Sequence, residues 1–254
     1  MHQDRRPWLI LAQAHLRVSE LQALLDLFGT AEAIVDQPRS RLAEAELSDE
    51  KCTAITSPDE RVVAKGLSWL GNAGHHLTAW GEDSYPEMIA QIPGPPLVLY
   101  VNGDIDALHL PALAIVGSRN PTEGGSRNAH NFAQHLAGRG FAIVSGLAQG
   151  LDAAAHEGAL DAGGKTVAFL GTGIDRVYPA INRNLAHAIA ANGALVSEYP
   201  LSAAPERWHF PERNRLISGL SLGTLVVEAA RRSGSLITAR LAAEQGREVF
   251  ALPG

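Results

Sequence analysis

The chain has 254 residues, of which 46% are hydrophobic and 19% are charged, as in an ordinary globular protein with room for one large and one small domain. No apolar run approaches the roughly 18 residues of a membrane-spanning helix, so no membrane insertion is expected, and the N-terminal apolar patch is too short for a signal peptide. The net charge of −6 argues against a protein that coats DNA through bulk positive charge. The single cysteine excludes internal disulfides and predicts a cytoplasmic protein.

Residues 1–82 are predicted to form a small all-α domain. Leucines and a phenylalanine recur at helical spacing between residues 21 and 28, and further short helices are predicted up to residue 70. Small helical domains of this kind bind nucleic acids or partner proteins, or serve only as packing, and the sequence leaves these alternatives open. The Gly- and Pro-rich segment 81–96 predicts the domain boundary.

Residues 83–254 are predicted to form an α/β domain, an extended Rossmann-like fold with a mostly parallel sheet and helices on both faces. Short apolar segments alternate with segments of helix length, as in repeated βαβ units. The apolar segments lack polar alternation, which is typical of strands buried on both faces. The predicted strands are 97–101, 113–116, 141–145, 166–170, 194–197, 224–228 and 248–252, and the predicted helices are 125–138, 150–161, 182–192 and 235–245.

Two turns, at residues 117–119 and 145–150, follow the predicted strands 113–116 and 141–145. In parallel sheets anions bind at such turns, because the unpaired N–H groups and the dipole of the next helix favour negative charge. Arg119 adds a fixed positive charge and a planar fork that suits a phosphate. The sequence therefore predicts a phosphate-binding site built from these two turns.

Two other patterns match only part of a functional motif. Gly171 and Gly173 resemble the start of a dinucleotide fingerprint, but Arg176 stands where the third glycine is required. Asp152 and His156 share a helix face, yet no nucleophile and no third metal ligand is identifiable beside them. We interpret this pair as structural, and we expect no catalytic residue, no metal and no cofactor.

The segment from 207 to 215 is the densest in arginine and aromatic residues. Guanidinium groups bind phosphates and aromatic rings stack on bases, so Arg207, Phe210 and Arg213 are candidates for nucleic-acid contact. Residues 205–240 contain six arginines and three glutamates. The alternative is therefore a surface loop in which the arginines pair with these glutamates.

A third candidate contact lies at the start of the predicted helix 235–245. Ser233, Gly234 and Ser235 are small, and they would let an anion approach the N-terminus of that helix. Simple capping of the helix explains the same residues equally well. The sequence does not decide between anion binding and capping.

These motifs together resemble the DNA-processing protein A (DprA/Smf) family. The matching segments are AIVGSRNPTEGG (114–125), SGLAQGLDAAAH (145–156), GTGIDRVYPAINRNL (171–185), SEYPL (197–201), FPERNRLISGLS (210–221), VVEAARRSGSLITA (226–239) and the final REVFALPG. The resemblance implies an N-terminal SAM-like domain before an extended Rossmann fold. It further implies a homodimer of natural transformation that binds and protects single-stranded DNA, displaces single-strand-binding protein, loads the recombinase RecA and performs no catalysis.

The candidate DNA-contacting residues combine the phosphate site with the positions that the resemblance implies. They are Gly117, Ser118, Arg119, Ser145, Gly146, Arg207, Phe210, Arg213, Ser233, Gly234 and Ser235.

Two other functions stay open at this point. The segment from Gly223 to Glu228 echoes a glycine-strand-glutamate pattern of Rossmann-like nucleotide phosphoribohydrolases of the lysine-decarboxylase-like (LOG) class, although the glycine run of their signature is incomplete. The third possibility is a structural adaptor whose pocket is vestigial.

Overall fold

The N-terminal part of the chain is helical, as predicted, in a computed structural model that describes residues 4–230 and 233–253. Thr30, Ser48 and Asp59 each precede a helix and accept a hydrogen bond from a backbone N–H of its first turn. The buried apolar residues of these helices form one core with side chains of the sheet, including Leu77 and Val98. The helices are α1 (Arg6–Gln13), α2 (Val18–Phe28), α3 (Ala31–Val35), α4 (Arg39–Leu42), α5 (Asp49–Thr56) and α6 (Glu60–Leu70).

The rest of the chain is organised around one eight-stranded sheet. Its strands are β1 (His75–Ala79), β2 (Val98–Gly103), β3 (Ala112–Val116), β4 (Ala142–Ser145), β5 (Thr166–Phe169), β6 (Ala194–Ser197), β7 (Gly223–Val226) and β8 (Glu248–Ala251). Their order is β1-β2-β6-β5-β4-β3-β7-β8, with β2 antiparallel to both of its neighbours and all other pairs parallel. The predicted mostly parallel, Rossmann-like sheet is confirmed.

Helices cover both faces of this sheet. They are α7 (Glu87–Ala90), α8 (Glu123–Ala137), α9 (Leu151–Asp161), α10 (Arg183–Asn192), α11 (His209–Leu220) and α12 (Gly234–Glu244). Ile115 and Ile143 pack with α8 and α9 on one face, whereas Val144 and Phe169 pack with α11 on the other. Because successive strand residues point to opposite faces and both faces are covered, the inner strands β3, β4, β5 and β6 carry mostly apolar side chains.

Two elements differ from the sequence interpretation. Residues 75–79 fall within the predicted helical domain 1–82, but they form β1, the antiparallel edge strand of the sheet. The interpretation also places residues 198–223 in a loop, whereas α11 begins at His209 and contains Pro211. A proline is compatible with the first turn of a helix, because the N–H that it lacks has no intrahelical acceptor there. The division into two domains stays a prediction.

Candidate nucleic-acid interface

The sheet has a switch point between its strands β3 and β7. From β3 the chain continues through α8 to β4 on one side, while β7 lies on the other side and continues through α12 to β8. The connecting helices α8 and α12 lie on opposite faces of the sheet. A crevice therefore opens at the carboxyl ends of β3 and β7, where ligands bind in folds of this type.

A cleft of about 710 Å³ occupies this position. It is lined by nine of the eleven predicted contact residues, namely Gly117, Ser118, Arg119, Arg207, Phe210, Arg213, Ser233, Gly234 and Ser235. The other two, Ser145 and Gly146, do not line it. Three segments that are far apart in the sequence, 117–119, 207–213 and 233–235, thus converge on one site.

Arg119 and Arg207 are the exposed charges of the cleft. Neither forms a salt bridge with any residue in the described ranges 4–230 and 233–253. A guanidinium without a carboxylate partner retains its full capacity to bind a phosphate. The cleft is therefore locally positive on a chain of negative net charge.

The first turn is held in place by its own backbone. The N–H of Ser118 donates to the carbonyl oxygen of Glu228 at 2.8 Å, and the carbonyl oxygen of Ser118 accepts from the N–H of Leu151 at 3.1 Å. The Ser118 hydroxyl accepts from the N–H of Asn120 at 3.1 Å. The amide of Ser118 is thus already paired, and Arg119 is the part of this turn that can bind an anion through its side chain.

The first residues of the second turn, Ser145 and Gly146, lie behind the cleft, whereas Ala148 lines it. The Ser145 hydroxyl is buried and donates to the carbonyl oxygen of Ile115 at 2.7 Å. The N–H groups of Gly146 and Ala148 donate to the carboxylate of Asp152 at 3.1 and 3.3 Å. The expectation that Ser145 and Gly146 line the pocket thus differs from the structure, because an internal carboxylate and a neighbouring strand already use their polar groups.

Arg213 lies beneath the floor of the cleft and is almost fully buried. Its Nη1 donates to the carbonyl oxygens of Gly146, at 2.9 Å, and of Phe169. Burial lowers the pKa of Arg213 to about 10, and the nearby Asp152 opposes this shift. Arg213 therefore stays charged at neutral pH and contributes a fixed positive charge under the cleft, while part of its hydrogen-bonding capacity holds strand ends together.

The Asp152 and His156 pair is structural in its contacts. Burial raises the pKa of the Asp152 carboxyl, and Arg213 opposes this effect. Nδ1 of His156 lies 2.7 Å from the hydroxyl oxygen of Thr166, which itself donates to the carbonyl oxygen of Ile143. Burial lowers the pKa of His156 to about 3, so the ring is neutral near pH 7. Asp152 borders the cleft, but His156 is fully buried and does not line it.

Two neighbouring aromatic residues, Tyr178 and Phe210, form an aromatic wall of the cleft. The rings of Phe210 and Tyr178 both line the cleft, with centroids 5.4 Å apart and planes inclined by 42°. Tyr178 is 50% exposed, and Phe210 packs over Gly171, where a Cβ would lie 2.8 Å from the ring. Tyr178 is absent from the predicted contact set. The signal that could have found it is an aromatic residue in the turn after a strand of the parallel series.

The N-terminus of α12 also lines the cleft. Ser233, Gly234 and Ser235 line it, and the two serine hydroxyls lie 2.7 Å apart. The Ser233 side chain does not cap the helix. The first N–H groups of a helix lack intrahelical acceptors, so this end of α12 contributes partial positive charge to the cleft. Asn214 fixes its position by donating to the carbonyl oxygen of Gly234 at 3.3 Å.

The other arginines of the segment 205–240 have separate environments. Arg215 pairs with Glu198 in a largely buried salt bridge between α11 and the end of β6, so it is structural. Arg231 and Arg232 lie outside the described residues. No arginine of this segment within the described ranges forms a salt bridge with one of its three glutamates.

Glu228, the acid of the phosphoribohydrolase-like pattern, is used elsewhere. Its carboxylate accepts from the N–H of Thr122 at 3.1 Å and from the Thr122 hydroxyl at 2.8 Å. Thr122 is the N-cap of α8, so the carboxylate lies at the positive end of that helix. Glu228 does not line the cleft.

Two further observations concern only residues 4–230 and 233–253. No cluster of three or more His, Cys, Asp or Glu side chains in these ranges is arranged to hold a metal ion. No helix there combines the length and the apolar composition needed to cross a membrane.

Comparison with known proteins decides the family. Residues 76–254 match the model of the DNA recombination-mediator protein A family. The chain belongs to this family. The match covers the whole sheet apart from the first residue of β1, and it confirms the resemblance seen in the sequence motifs.

Two curated relatives each share 45% of their aligned residues with this chain. Protein Smf of Escherichia coli is 45% identical over 214 residues, which are 84% of this chain and 57% of that protein. DNA processing protein DprA of Streptococcus pneumoniae is 45% identical over 173 residues, which are 68% of this chain and 61% of that protein. The chain thus spans little more than half the length of these relatives.

Two solved structures of the family share the fold. The X-ray structure of DNA processing protein A from Streptococcus pneumoniae superposes with a TM-score of 0.85 and 33% identity, covering 100% of this chain and 88% of that one. A structure of the Helicobacter pylori protein, described as showing its single-stranded DNA binding mode, has a TM-score of 0.65 and 34% identity, covering 70% and 81%.

Proposed function

We propose that this chain binds single-stranded DNA in the cleft and does not alter it chemically. The observation that carries the proposal is the position of Arg119 and Arg207, two exposed guanidiniums that form no salt bridge within the described part of the chain, on one cleft that two aromatic rings also line. Guanidiniums bind successive phosphates of a backbone, and aromatic faces stack on bases of any sequence. The Helicobacter pylori relative, whose structure is described as showing a single-stranded DNA binding mode, supports the same ligand.

A single strand suits this cleft better than a duplex does. Tyr178 and Phe210 offer ring faces, and a base reaches such a face only when it is unstacked from its neighbours. The net charge of −6 opposes binding of long duplex DNA by bulk attraction. We therefore expect preference for single strands with little dependence on base sequence.

The wider role that we propose follows the family. A cytoplasmic homodimer would place two clefts along one strand, and linked sites raise the effective concentration and hence the affinity. Such a dimer would protect incoming DNA during natural transformation, displace single-strand-binding protein and load RecA. The family's description as a recombination mediator supports this role. RecA ATPase activity on DNA coated with single-strand-binding protein, measured with and without the chain, tests it.

The test of the ligand is a titration of a fluorescent oligo-dT with the chain, followed by anisotropy. Saturable binding that an unlabelled single strand reverses, and that an equal amount of duplex does not, would support the proposal. An unchanged anisotropy would favour an adaptor with a vestigial pocket. Incubation with AMP tests the phosphoribohydrolase alternative, and steady release of free adenine would overturn the non-enzymatic function. The position of Glu228 at the α8 N-terminus disfavours that outcome.

A further inference from the structure

Two loops carry side chains that line the cleft outside its helices. The first loop, residues 170–182, follows β5 and carries Tyr178, and the second loop, residues 198–208, follows β6 and carries Arg207. Neither loop contains a strand or a long helix. The positions of the two loops therefore depend on the contacts that they make with each other and with neighbouring elements. The contacts that join the two loops lie away from the cleft lining, beside the N-terminal helices.

A carboxylate joins the two loops. Asp175 accepts from the N–H of Ser202 at 2.6 Å through Oδ1, and from the Ser202 hydroxyl at 3.2 Å through Oδ2. The N–H of Gly173 donates to the carbonyl oxygen of Ala203 at 3.1 Å, so backbone contact runs beside it. Ser202 has a φ of +68°, a conformation that costs energy for a residue with a side chain and that these bonds maintain.

A lysine connects this junction to the N-terminal helices. Nζ of Lys65, on α6, donates to Oδ2 of Asp175 at 2.9 Å and also to the Ser202 hydroxyl. The side chains of Lys65 and Asp175 are 46% and 25% exposed, so their attraction alone adds little to stability. Lys65 does not line the cleft, but it contacts both loops. Its side chain is therefore suited to position the loops and not to bind DNA directly.

We propose that Lys65 and Asp175 are positioning residues for the polynucleotide cleft, through which the N-terminal helices hold the loops that carry Tyr178 and Arg207. This inference rests on the proposed function, because the cleft is the proposed DNA site. When these contacts are absent, the loops sample more conformations, and DNA binding must then bear the cost of ordering them. The N-terminal helices thereby influence DNA affinity without touching DNA.

The test compares Lys65→Met and Asp175→Asn with a matched control, Lys165→Met. Lys165 pairs with Asp104 at 2.8 Å with similar exposure, but it precedes β5 and so lies at the opposite end of the sheet from the cleft. We expect Lys65→Met and Asp175→Asn to weaken oligo-dT binding by about 3- to 10-fold. Lys165→Met, which changes the net charge equally with Lys65→Met, should bind as the wild type does, and Lys65→Arg should restore most of the affinity.

The salt dependence separates positioning from direct contact. Loss of one phosphate contact lowers the slope of log K against log salt by about 0.7 for a single strand. We expect Lys65→Met to keep the wild-type slope. Wild-type affinity in Lys65→Met, or a slope lowered as for a lost phosphate contact, would overturn the inference.

Hydrogen exchange of the DNA-free chain provides a second readout. We expect Lys65→Met to speed amide exchange in residues 170–182 and 198–208, while Lys165→Met leaves exchange there unchanged. Equal exchange in both variants would contradict the positioning role. A wild-type chain that fails to bind oligo-dT would remove the proposed function, whereas the exchange result would still decide whether Lys65 holds the loops.

Discussion

The guanidinium of Arg213 lies directly against the α-carbon of Gly146 and donates to the carbonyl oxygen of that glycine at 2.9 Å. A Cβ on residue 146 would lie 2.6 Å from Nη2 of Arg213 and 2.8 Å from its Cζ. The second turn thus needs glycine because a buried charged side chain approaches its backbone. Through this contact the turn holds Arg213 under the cleft.

Gly146→Ala is expected to destabilise the fold. The new methyl group would displace a buried guanidinium or the turn itself, at a cost of about 1–3 kcal/mol. Thermal unfolding followed by circular dichroism measures the effect. Gly124→Ala, in the first turn of α8, is the matched control. The atom nearest to a Cβ at that position is Oγ1 of Thr122, 3.9 Å away, so the new methyl group meets no close contact. Equal midpoints for Gly146→Ala and the wild type would contradict the close packing of Arg213 against Gly146.

Buried His156 predicts a pH dependence of stability. Burial lowers its pKa in the folded state to about 3, whereas in the unfolded chain it has its ordinary value near 6.5. As the pH falls below 6.5 the unfolded state therefore binds a proton that the folded state does not, and the unfolding free energy declines by at most about 1.4 kcal/mol per pH unit. The decline from this group ends near pH 3.

His156→Asn removes this titration and tests the assignment. Unfolding midpoints in denaturant, measured between pH 7 and pH 4, should fall less steeply in His156→Asn than in the wild type. The variant is expected to be less stable at pH 7, because the ring is fully buried against Thr166. Identical pH profiles for the two proteins would show that His156 titrates normally in the folded state.

Phe210→Ala is expected to weaken single-stranded DNA binding by about 5- to 150-fold, because stacking of a base on an aromatic ring contributes about 1–3 kcal/mol. The slope of the salt dependence should stay the same, since no charge is lost. Phe132→Ala is the matched control, a phenylalanine on α8 with 41% of its surface exposed outside the cleft. Equal affinities of the two variants for oligo-dT would remove Phe210 from the site.

The convergence of Arg119 and Arg207 could be predicted from the sequence with the family motifs. Apolar runs such as 113–116 and 141–145 defined parallel strands, and the carboxyl ends of parallel strands meet at one edge of a sheet. Arg119 follows such a strand directly. The density of arginines and aromatic residues in the segment 207–215 indicates Arg207 as a candidate contact, and the family resemblance places it in the same pocket as Arg119.

The remaining features depend on tertiary contacts that local patterns do not carry. An arginine is normally exposed, so nothing in the sequence distinguishes buried Arg213 from exposed Arg207. β1 contains two histidines and pairs only with β2. The first two turns of α11 contain a proline and several charges that are typical of a loop. Lys65 reaches Asp175 across 110 positions of the sequence.

The salt dependence of oligo-dT binding tests the central claim most directly. It compares the wild type with Arg119→Ala/Arg207→Ala and with a control of equal charge change, Arg127→Ala/Arg139→Ala, whose arginines lie on α8 and just after its end and do not line the cleft. We expect weaker binding by the Arg119→Ala/Arg207→Ala variant and a slope of log K against log salt smaller by about 1.4, which corresponds to two lost phosphate contacts. Equal affinity and slope for this variant and the control variant would contradict the assignment of the cleft as the DNA site.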